Sequence, residues 1–146
     1  WLYEAFGIQL TFSRAGVVLA EAFVAMPFFV ITVEAALRGL DPRYEQVAAG
    51  LGARPTQVFR RVTLPLIGPA VVAGAILSWA RALGEFGATI TFAGNIAGRT
   101  QTLPLAIYLQ LESDPGSAVA LSLVLLLVSF VVLIALRDRW LGGSPR

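Results

Sequence analysis

The sequence predicts an all-α membrane protein with at least three transmembrane helices. The first reason is composition: of 146 residues, 57% are hydrophobic and 14% are charged, whereas a soluble domain carries about 25% charged residues. The second reason is the presence of three apolar runs of roughly 20 residues, the length at which an α-helix crosses a bilayer. The third is that the basic residues, all of them arginines, lie mostly outside these runs.

Arginine placement also predicts the orientation of the spans. Five arginines lie between the first two runs and three follow the last, whereas the other two segments outside the runs carry only Arg14 and Arg99. Because arginines are enriched in cytoplasmic segments, we expect the segment between the first two spans and the C-terminus to face the cytoplasm. The distribution thus predicts a multi-pass membrane protein.

The first predicted span covers residues 15–37, and Glu21, Pro27 and Glu34 interrupt it. A helix buried inside a soluble protein is the alternative, but three such runs leave little polar surface in so short a chain. The sequence begins with Trp1 and shows no signal peptide. We therefore expect this chain to be the later part of a longer polypeptide, with further spans before residue 1.

A basic segment, residues 41–65, separates the first two spans and carries signals for two short helices. Asp41 and Pro42 predict a helix start, and Gly52 predicts a left-handed residue at the end of that helix. Pro55 opens the second helix, and a Leu-Pro pair closes the segment before the second span. The apolar residues of each helix share one face: Tyr44, Val47, Ala48 and Leu51 in the first, and Val58, Phe59 and Val62 in the second.

Helices this short bury too little surface to be stable without a further surface to pack on. Three functions fit: a DNA-reading helix-turn-helix, a loop held to anionic lipid by arginines, and a docking element for a soluble partner. The first is disfavoured because membrane spans begin within a few residues of both helices. A net charge of +2 likewise gives no reason to expect nucleic-acid binding.

The segment resembles the EAA loop of ABC importer permeases. That pattern reads Glu-Ala-Ala, three residues, Gly, nine residues, then Ile-x-Leu-Pro. With Gly52 as the anchor, the triplet falls on Gln46-Val47-Ala48, one residue after Glu45. The end of the pattern falls on Val62, Leu64 and Pro65.

The resemblance implies a type I ABC importer transmembrane domain whose coupling helices sit in a cleft of a separate cytoplasmic ATPase. It implies that Gly52 forms the turn and that Glu45 and Gln46 offer polar contacts. The implied apolar contacts are Val47, Ala48, Leu51 and Phe59. Because the chain has no GxxxxGK[ST] phosphate loop, ATP and Mg²⁺ are expected on the partner, and no cofactor is expected on this chain. The permeases of this family work as pairs, which implies a homodimer.

The second predicted span, residues 66–86, carries two patterns. Small residues repeat every four positions, which lets another helix approach closely; they are Ala70, Gly74, Ser78 and Ala82. A packing contact within one subunit and a contact between two subunits both fit this repeat of small residues.

Arg81 and Glu85 are four residues apart and are expected to share a helix face. Such residues normally face a bundle interior or a water-filled path, so the pair either bridges the helix end or lines the translocation path.

The outer segment, residues 87–116, and the residues just before it indicate which branch of the family the chain resembles. The run ARALGEFGATITFAGNIAGRTQTLPLAIY is similar to the molybdate branch of the permeases, whereas the sulfate branch matches mainly up to GEFG. The resemblance implies transport of a tetrahedral oxyanion that an external binding protein delivers to the outer face. Tungstate, sulfate and thiosulfate are the alternative cargoes. Hydrogen-bond donors suit such an anion, and the expected path residues are Arg81, Glu85, Thr89, Thr91 and Asn95, with Arg99 and Thr100 as further donors.

Local signals in the outer segment predict its structure. Residues 89–92 favour an extended conformation, and Gly94 and Gly98 mark turns. Residues 103–111 fit a short helix, and Asp114-Pro115-Gly116 predicts a turn. The third span, residues 117–136, follows and contains no charged residue.

The composition gives little support for catalysis. The chain has no Cys and no His, which removes the usual thiol and imidazole groups, and no Gly-x-Ser-x-Gly motif is present. An enzyme is therefore not expected. A scaffold that shares only the membrane architecture is the second class, and the residue spacing within 41–65, called the coupling segment below, argues against it.

Overall fold

The computed structural model describes residues 10–141 and, among side chains, those of residues 10–134. The described residues form seven α-helices and one π turn, and no strand is found among them. The elements are α1 (Arg14–Arg38), α2 (Arg43–Gly50), α3 (Pro55–Val58), the π turn (Phe59–Thr63), α4 (Leu64–Leu83), α5 (Gly87–Ala93), α6 (Leu103–Ser113) and α7 (Pro115–Leu141). The predicted all-α class is confirmed.

Three helical stretches are long and apolar enough to cross a membrane, judged by length and composition. They are Arg14–Arg38, Pro55–Leu83 and Pro115–Ile134. Large apolar side chains of α7, such as Leu126 and Phe130, are well exposed. In water such a surface would be unfavourable, and a helix of this kind is stable when lipid covers it.

The second of these stretches begins earlier than the sequence suggested. We expected the segment to close at Leu64-Pro65, but α3, the π turn and α4 form one continuous helical stretch of 29 residues. Pro65 has no N–H group, and its ring would clash with the carbonyl four residues earlier in a regular α-helix. The π turn widens the backbone just before it: the N–H of Leu64 bonds the carbonyl of Phe59, five residues back. The wider turn thus lets the helix continue through the proline.

The chain divides into two compact units. The first consists of the described parts of Trp1–Val24 and Ala80–Arg146, and the second is Ala25–Trp79. In the first unit α6 packs along α7, and Ala93, Leu105 and Ala118 are buried. In the second unit α2, α3 and the π turn pack together, with the side chains of Val58, Thr63 and Ile67 buried.

The extended conformation predicted for residues 89–92 is wrong, because these residues lie in α5. The Glu85 carboxylate accepts the N–H of Ala88 in the first turn of the helix, at 2.8 Å. Thr91 donates its hydroxyl to the carbonyl of Gly87, at 2.7 Å. Gly94 ends the helix with a φ of +74°. These local bonds outweigh the β-propensity of the threonines.

A short helix was predicted for residues 103–111, and α6 occupies that place. The turn expected at Asp114-Pro115-Gly116 is instead the first turn of α7. Asp114 caps this helix: its Oδ1 accepts the N–H of Gly116 at 3.1 Å and that of Ser117 at 3.3 Å. The Ser117 hydroxyl donates to Oδ2. Led by this hydroxyl bond, these contacts favour the charged carboxylate and lower the pKa of Asp114 below its usual value.

Candidate functional site

The turn between α2 and α3 is a Schellman motif built on Gly52. The φ of Gly52 is +85°, the left-handed conformation that the sequence predicted. Its N–H bonds the carbonyl of Ala49 at 2.9 Å, and the N–H of Ala53 bonds that of Ala48 at 3.2 Å. This pair of bonds defines the motif and satisfies carbonyls at the end of α2. Gly52 therefore sets the angle at which the chain leaves α2.

A hydrogen bond ties α2 to the π turn. The hydroxyl of Thr63, which is buried, donates to Oε1 of the half-buried Glu45 at 2.5 Å. Beside this bond lies a cleft of about 370 Å³, lined by Glu45, Gln46, Ala49, Ala53, Pro55, Val58, Phe59 and Thr63. The bond to a charged acceptor joins the two helices of the segment into one unit with a concave side.

The apolar face predicted for the coupling segment is uncovered. Leu51 is 85% exposed and Val47 64% exposed, and Tyr44 and Phe59 are exposed as well. Ala48 is half-buried. Exposed side chains of this size next to one another are typical of a surface that binds another protein or lipid.

The remaining residues predicted for the segment occupy different positions. Gln46 is exposed and lines the cleft next to Glu45. Val62 is half-buried in the π turn, whereas Leu64 and Pro65 lie exposed in the first turn of α4. The Leu-Pro pair therefore belongs to the membrane-crossing helix itself.

Arg81 and Glu85 form an ion pair, with Nη1 of Arg81 2.7 Å from Oε2 of Glu85. The expectation that both lie on one helix face is wrong, because α4 ends at Leu83 and Glu85 follows in the connection to α5. The Glu85 side chain is only 6% exposed, that of Arg81 37%. The second carboxylate oxygen of Glu85 accepts the N–H of Ala88, as described above. The carboxylate thus links the end of one helix to the start of the next.

The other predicted path residues do not share one face. Thr89 is fully buried, whereas Thr91 is exposed and bonds its own helix. Thr91 lines an apolar cleft of about 430 Å³ with Leu19, Ala20, Phe23, Ala88 and Phe92. Within the described chain, Thr89 Oγ1 and Asn95 Oδ1 are buried without a hydrogen-bond partner. Arg99 is exposed, and Thr100 is buried with its hydroxyl accepting the N–H of Ile96.

The ladder of small residues is partly engaged within the second unit. A Cβ added to Gly74 would lie 3.2 Å from Phe29 Cδ2 and 3.3 Å from Thr32 Cβ. The Ser78 hydroxyl donates to the carbonyl of Ala25 at 3.0 Å. Gly74 and Ser78 therefore let α4 approach α1 closely. At these two positions the small residues form a packing contact within one subunit. Ala70 and Ala82 are half-buried on α4.

Comparison with known families assigns the chain. The sequence pattern of the family described as "Binding-protein-dependent transport system inner membrane component" matches residues 5–140. The chain belongs to this family. The resemblance to importer permeases is thereby confirmed, and membership of an inner-membrane family agrees with the three apolar helices.

Several curated proteins are similar to this member of the family. A Mycobacterium bovis protein named molybdenum transport system permease protein ModB is 56% identical over 136 residues, which cover 93% of this chain and 52% of the relative. The Escherichia coli protein of the same name is 42% identical and covers 99% of this chain and 63% of the relative. A Salmonella typhimurium protein named sulfate transport system permease protein CysT is 44% identical, and the match covers 90% of this chain and 48% of the relative. The chain thus spans about half, and at most 63%, of the length of these relatives.

Sequence reasoning missed two bonds in this member of the family. Thr63 lies 18 positions from Glu45, and no local pattern indicates that the two side chains meet. The bond from the Ala88 N–H to Glu85 was missed because the β-propensity of residues 89–92 predicts an extended conformation instead of a helix.

Proposed function

We propose that this chain is part of the permease subunit of an ATP-driven importer whose cargo is molybdate. The observation that carries the proposal is the coupling segment: two helices joined at a left-handed glycine, with exposed apolar side chains, at the base of a membrane-crossing helix. Exposed apolar side chains of this size need a protein or lipid surface to pack on. The spacing from Gly52 to Pro65, matched to the permease pattern, supports an ATPase subunit as that protein.

The roles within the coupling segment follow from its contacts. Leu51, Val47 and Phe59 supply the apolar surface for the ATPase, with Ala48 beside them. Glu45 is already bonded to Thr63, so breaking that bond would leave a buried hydroxyl unpaired. We therefore assign the polar contact with the ATPase to Gln46, which is exposed at the cleft. Glu45 instead stabilises the packing of α2 against the π turn.

The orientation of the proposed permease rests on the arginine distribution. The coupling segment and the C-terminus face the cytoplasm, where the ATPase binds ATP and Mg²⁺. The outer segment faces the external oxyanion-binding protein, which the description of the family supports. Two permease subunits pair in the membrane. Since Gly74 and Ser78 already pack against α1 in the same chain, the pairing uses other faces than these two rungs.

Molybdate is favoured as the cargo by the residues from Ala80 to Tyr108 and by the names of the relatives at 56% and 42% identity. The sulfate relative at 44% makes sulfate or thiosulfate the second candidate, and tungstate has the same charge and shape as molybdate. The proposed path comprises Arg81, Glu85, Thr89, Thr91 and Asn95. Of these, Arg81 supports the proposal most directly, because its side chain is 37% exposed and carries donors for an anion, whereas Thr89 is fully buried.

Deletion of the gene in its host tests the cargo. We expect high-affinity uptake of labelled molybdate to be lost and to return when the full polypeptide is supplied. Excess tungstate should compete with this uptake and excess sulfate should not. Loss of sulfate uptake with molybdate uptake intact would assign the chain to the sulfate branch, and loss of neither would favour a scaffold without a transport role.

A further inference from the structure

Glu85 is engaged through both carboxylate oxygens. Oε2 lies 2.7 Å from Nη1 of Arg81, and Oε1 accepts the backbone N–H of Ala88 at 2.8 Å. The side chain is 6% exposed. A buried carboxylate keeps its charge when a cation and hydrogen-bond donors satisfy it, and here one donor comes from each of the two helices that it joins.

A second ion pair in the chain provides a contrast. Arg38 and Glu34 are also four residues apart and lie 2.6 Å from each other, but their side chains are 80% and 51% exposed. An exposed pair of this kind contributes little, because water screens both charges. The Arg81–Glu85 pair is shielded from water on its acidic side, so each partner strongly affects what else the other can bind.

The guanidinium of Arg81 is a natural ligand for an oxyanion. It presents its N–H donors in a planar fork that fits two oxygens of a carboxylate or of a phosphate-like group. Two oxygens of a tetrahedral dianion can accept N–H groups from the same guanidinium that pairs with the Glu85 carboxylate.

We propose that Glu85 is a positioning residue that acts as an internal counterion and competes with the transported oxyanion for Arg81. This inference rests on the proposed function. An arriving anion meets a guanidinium whose charge a carboxylate 2.7 Å away already offsets, so the net gain in free energy is small. Weak binding suits a transport path, because the cargo must leave again. The bond from Glu85 to Ala88 keeps the carboxylate next to Arg81 and ready to return.

The test compares variants of the complete permease assembled with its ATPase, in the absence of the external binding protein. Glu85→Gln removes the negative charge but keeps an amide oxygen that can accept the Ala88 N–H, whereas Glu85→Ala removes both. We expect both variants to bind molybdate on the order of tenfold more tightly in equilibrium dialysis, about 1.4 kcal/mol. In proteoliposomes supplied with the external binding protein, uptake should slow, because release becomes slower.

Two controls separate the counterion role from a structural one. Glu34→Gln removes the acid of the exposed pair and should leave affinity unchanged. Arg81→Gln combined with Glu85→Gln should abolish the gain in affinity. If Glu85→Gln does not assemble, Glu85→Asp provides the measurement: its shorter side chain does not reach both donors, and we expect a smaller gain in affinity.

Equal affinity of wild type and Glu85→Gln for both molybdate and sulfate would overturn the inference. A change in Glu85→Ala alone would also overturn it, because the capping of α5 would then explain the effect. The cargo is judged separately: binding of sulfate but not molybdate, with the same difference between wild type and variant, would contradict the proposed cargo and support the counterion role.

Discussion

Gly52 offers the sharpest perturbation of the coupling segment. A Cβ at this position would meet no atom within 4 Å, so a substitution acts through the backbone alone. At a φ of +85° a β-branched residue is strongly disfavoured, and holding it there costs on the order of 1–3 kcal/mol. Gly52→Val should therefore lower the population of the present turn conformation, relative to other conformations, by about five- to 150-fold.

The assay is the number of ATP molecules hydrolysed per molybdate taken up, in proteoliposomes that contain the complete transporter. Gly52→Val should insert and bind lipid normally but hydrolyse ATP with little uptake, because α2 and the π turn no longer hold their exposed apolar side chains in the same arrangement. Gly50→Ala is the matched control: Gly50 lies in α2, also has no atom within 4 Å of an added Cβ, and gains about 0.5–1 kcal/mol in helix propensity. It should couple normally.

Normal coupling in Gly52→Val, with the variant present at wild-type levels, would refute the docking role of the turn. Impaired coupling in Gly50→Ala to the same degree would also refute it. The loss would then follow any change in the segment and not the left-handed conformation of one residue.

Three further predictions concern single contacts. Thr63→Val removes the hydroxyl bonded to Glu45 and should lower thermal stability of the complex by about 1.5–3 kcal/mol, whereas Thr63→Ser should retain most of it. Gly74→Leu places atoms against Phe29, 3.2 Å from the added Cβ, and should reduce assembly by overpacking worth about 1–3 kcal/mol, measured as properly folded protein in membranes. Asp114→Ala should lower the melting temperature near neutral pH, and Asp114→Asn much less. Because the folded pKa of Asp114 is lowered, its stabilisation is complete above the ordinary carboxyl pKa and is lost as the pH falls through the folded value; a difference between Asp114→Ala and wild type that persists at still lower pH would contradict this.

Much of the fold could be predicted because its signals are local. Length and hydropathy identify membrane-crossing helices without knowledge of their partners, and the left-handed end of α2 follows from Gly52 alone. The start of α2 has the same origin: Asp41 Oδ1 accepts the N–H of Arg43 at 2.9 Å, as its place before Pro42 suggested. Each of these features depends on residues within one or two helical turns.

The failures occurred where particular hydrogen bonds and backbone geometry override a local propensity. Residues 89–92 have β-propensity, but the carboxylate of Glu85 accepts the N–H of Ala88 in the first turn of α5, and Gly94 ends that helix. The Leu64-Pro65 pair suggested a break, and the π turn before it removes the clash that a regular helix would suffer. A propensity scale evaluates neither effect.

The candidate site was predicted unevenly for the same reason. Arg81 and Glu85 could be paired from their spacing, although the geometry of the pair required knowing that α4 ends between them. Thr89 and Thr91 were expected to act together, yet a separation of two residues places them on different sides of a helix. The contact of Thr63 with Glu45 could be found only in the folded structure, because the two residues lie 18 positions apart.

Reconstitution tests the central claim most directly. The complete permease, its ATPase and the external binding protein are placed in proteoliposomes, and accumulation of labelled molybdate is measured with and without ATP. The account predicts accumulation against a gradient that requires ATP, stops in Gly52→Val and is not reduced by excess sulfate. Accumulation of sulfate with none of molybdate, or movement of molybdate that is independent of ATP, would contradict it.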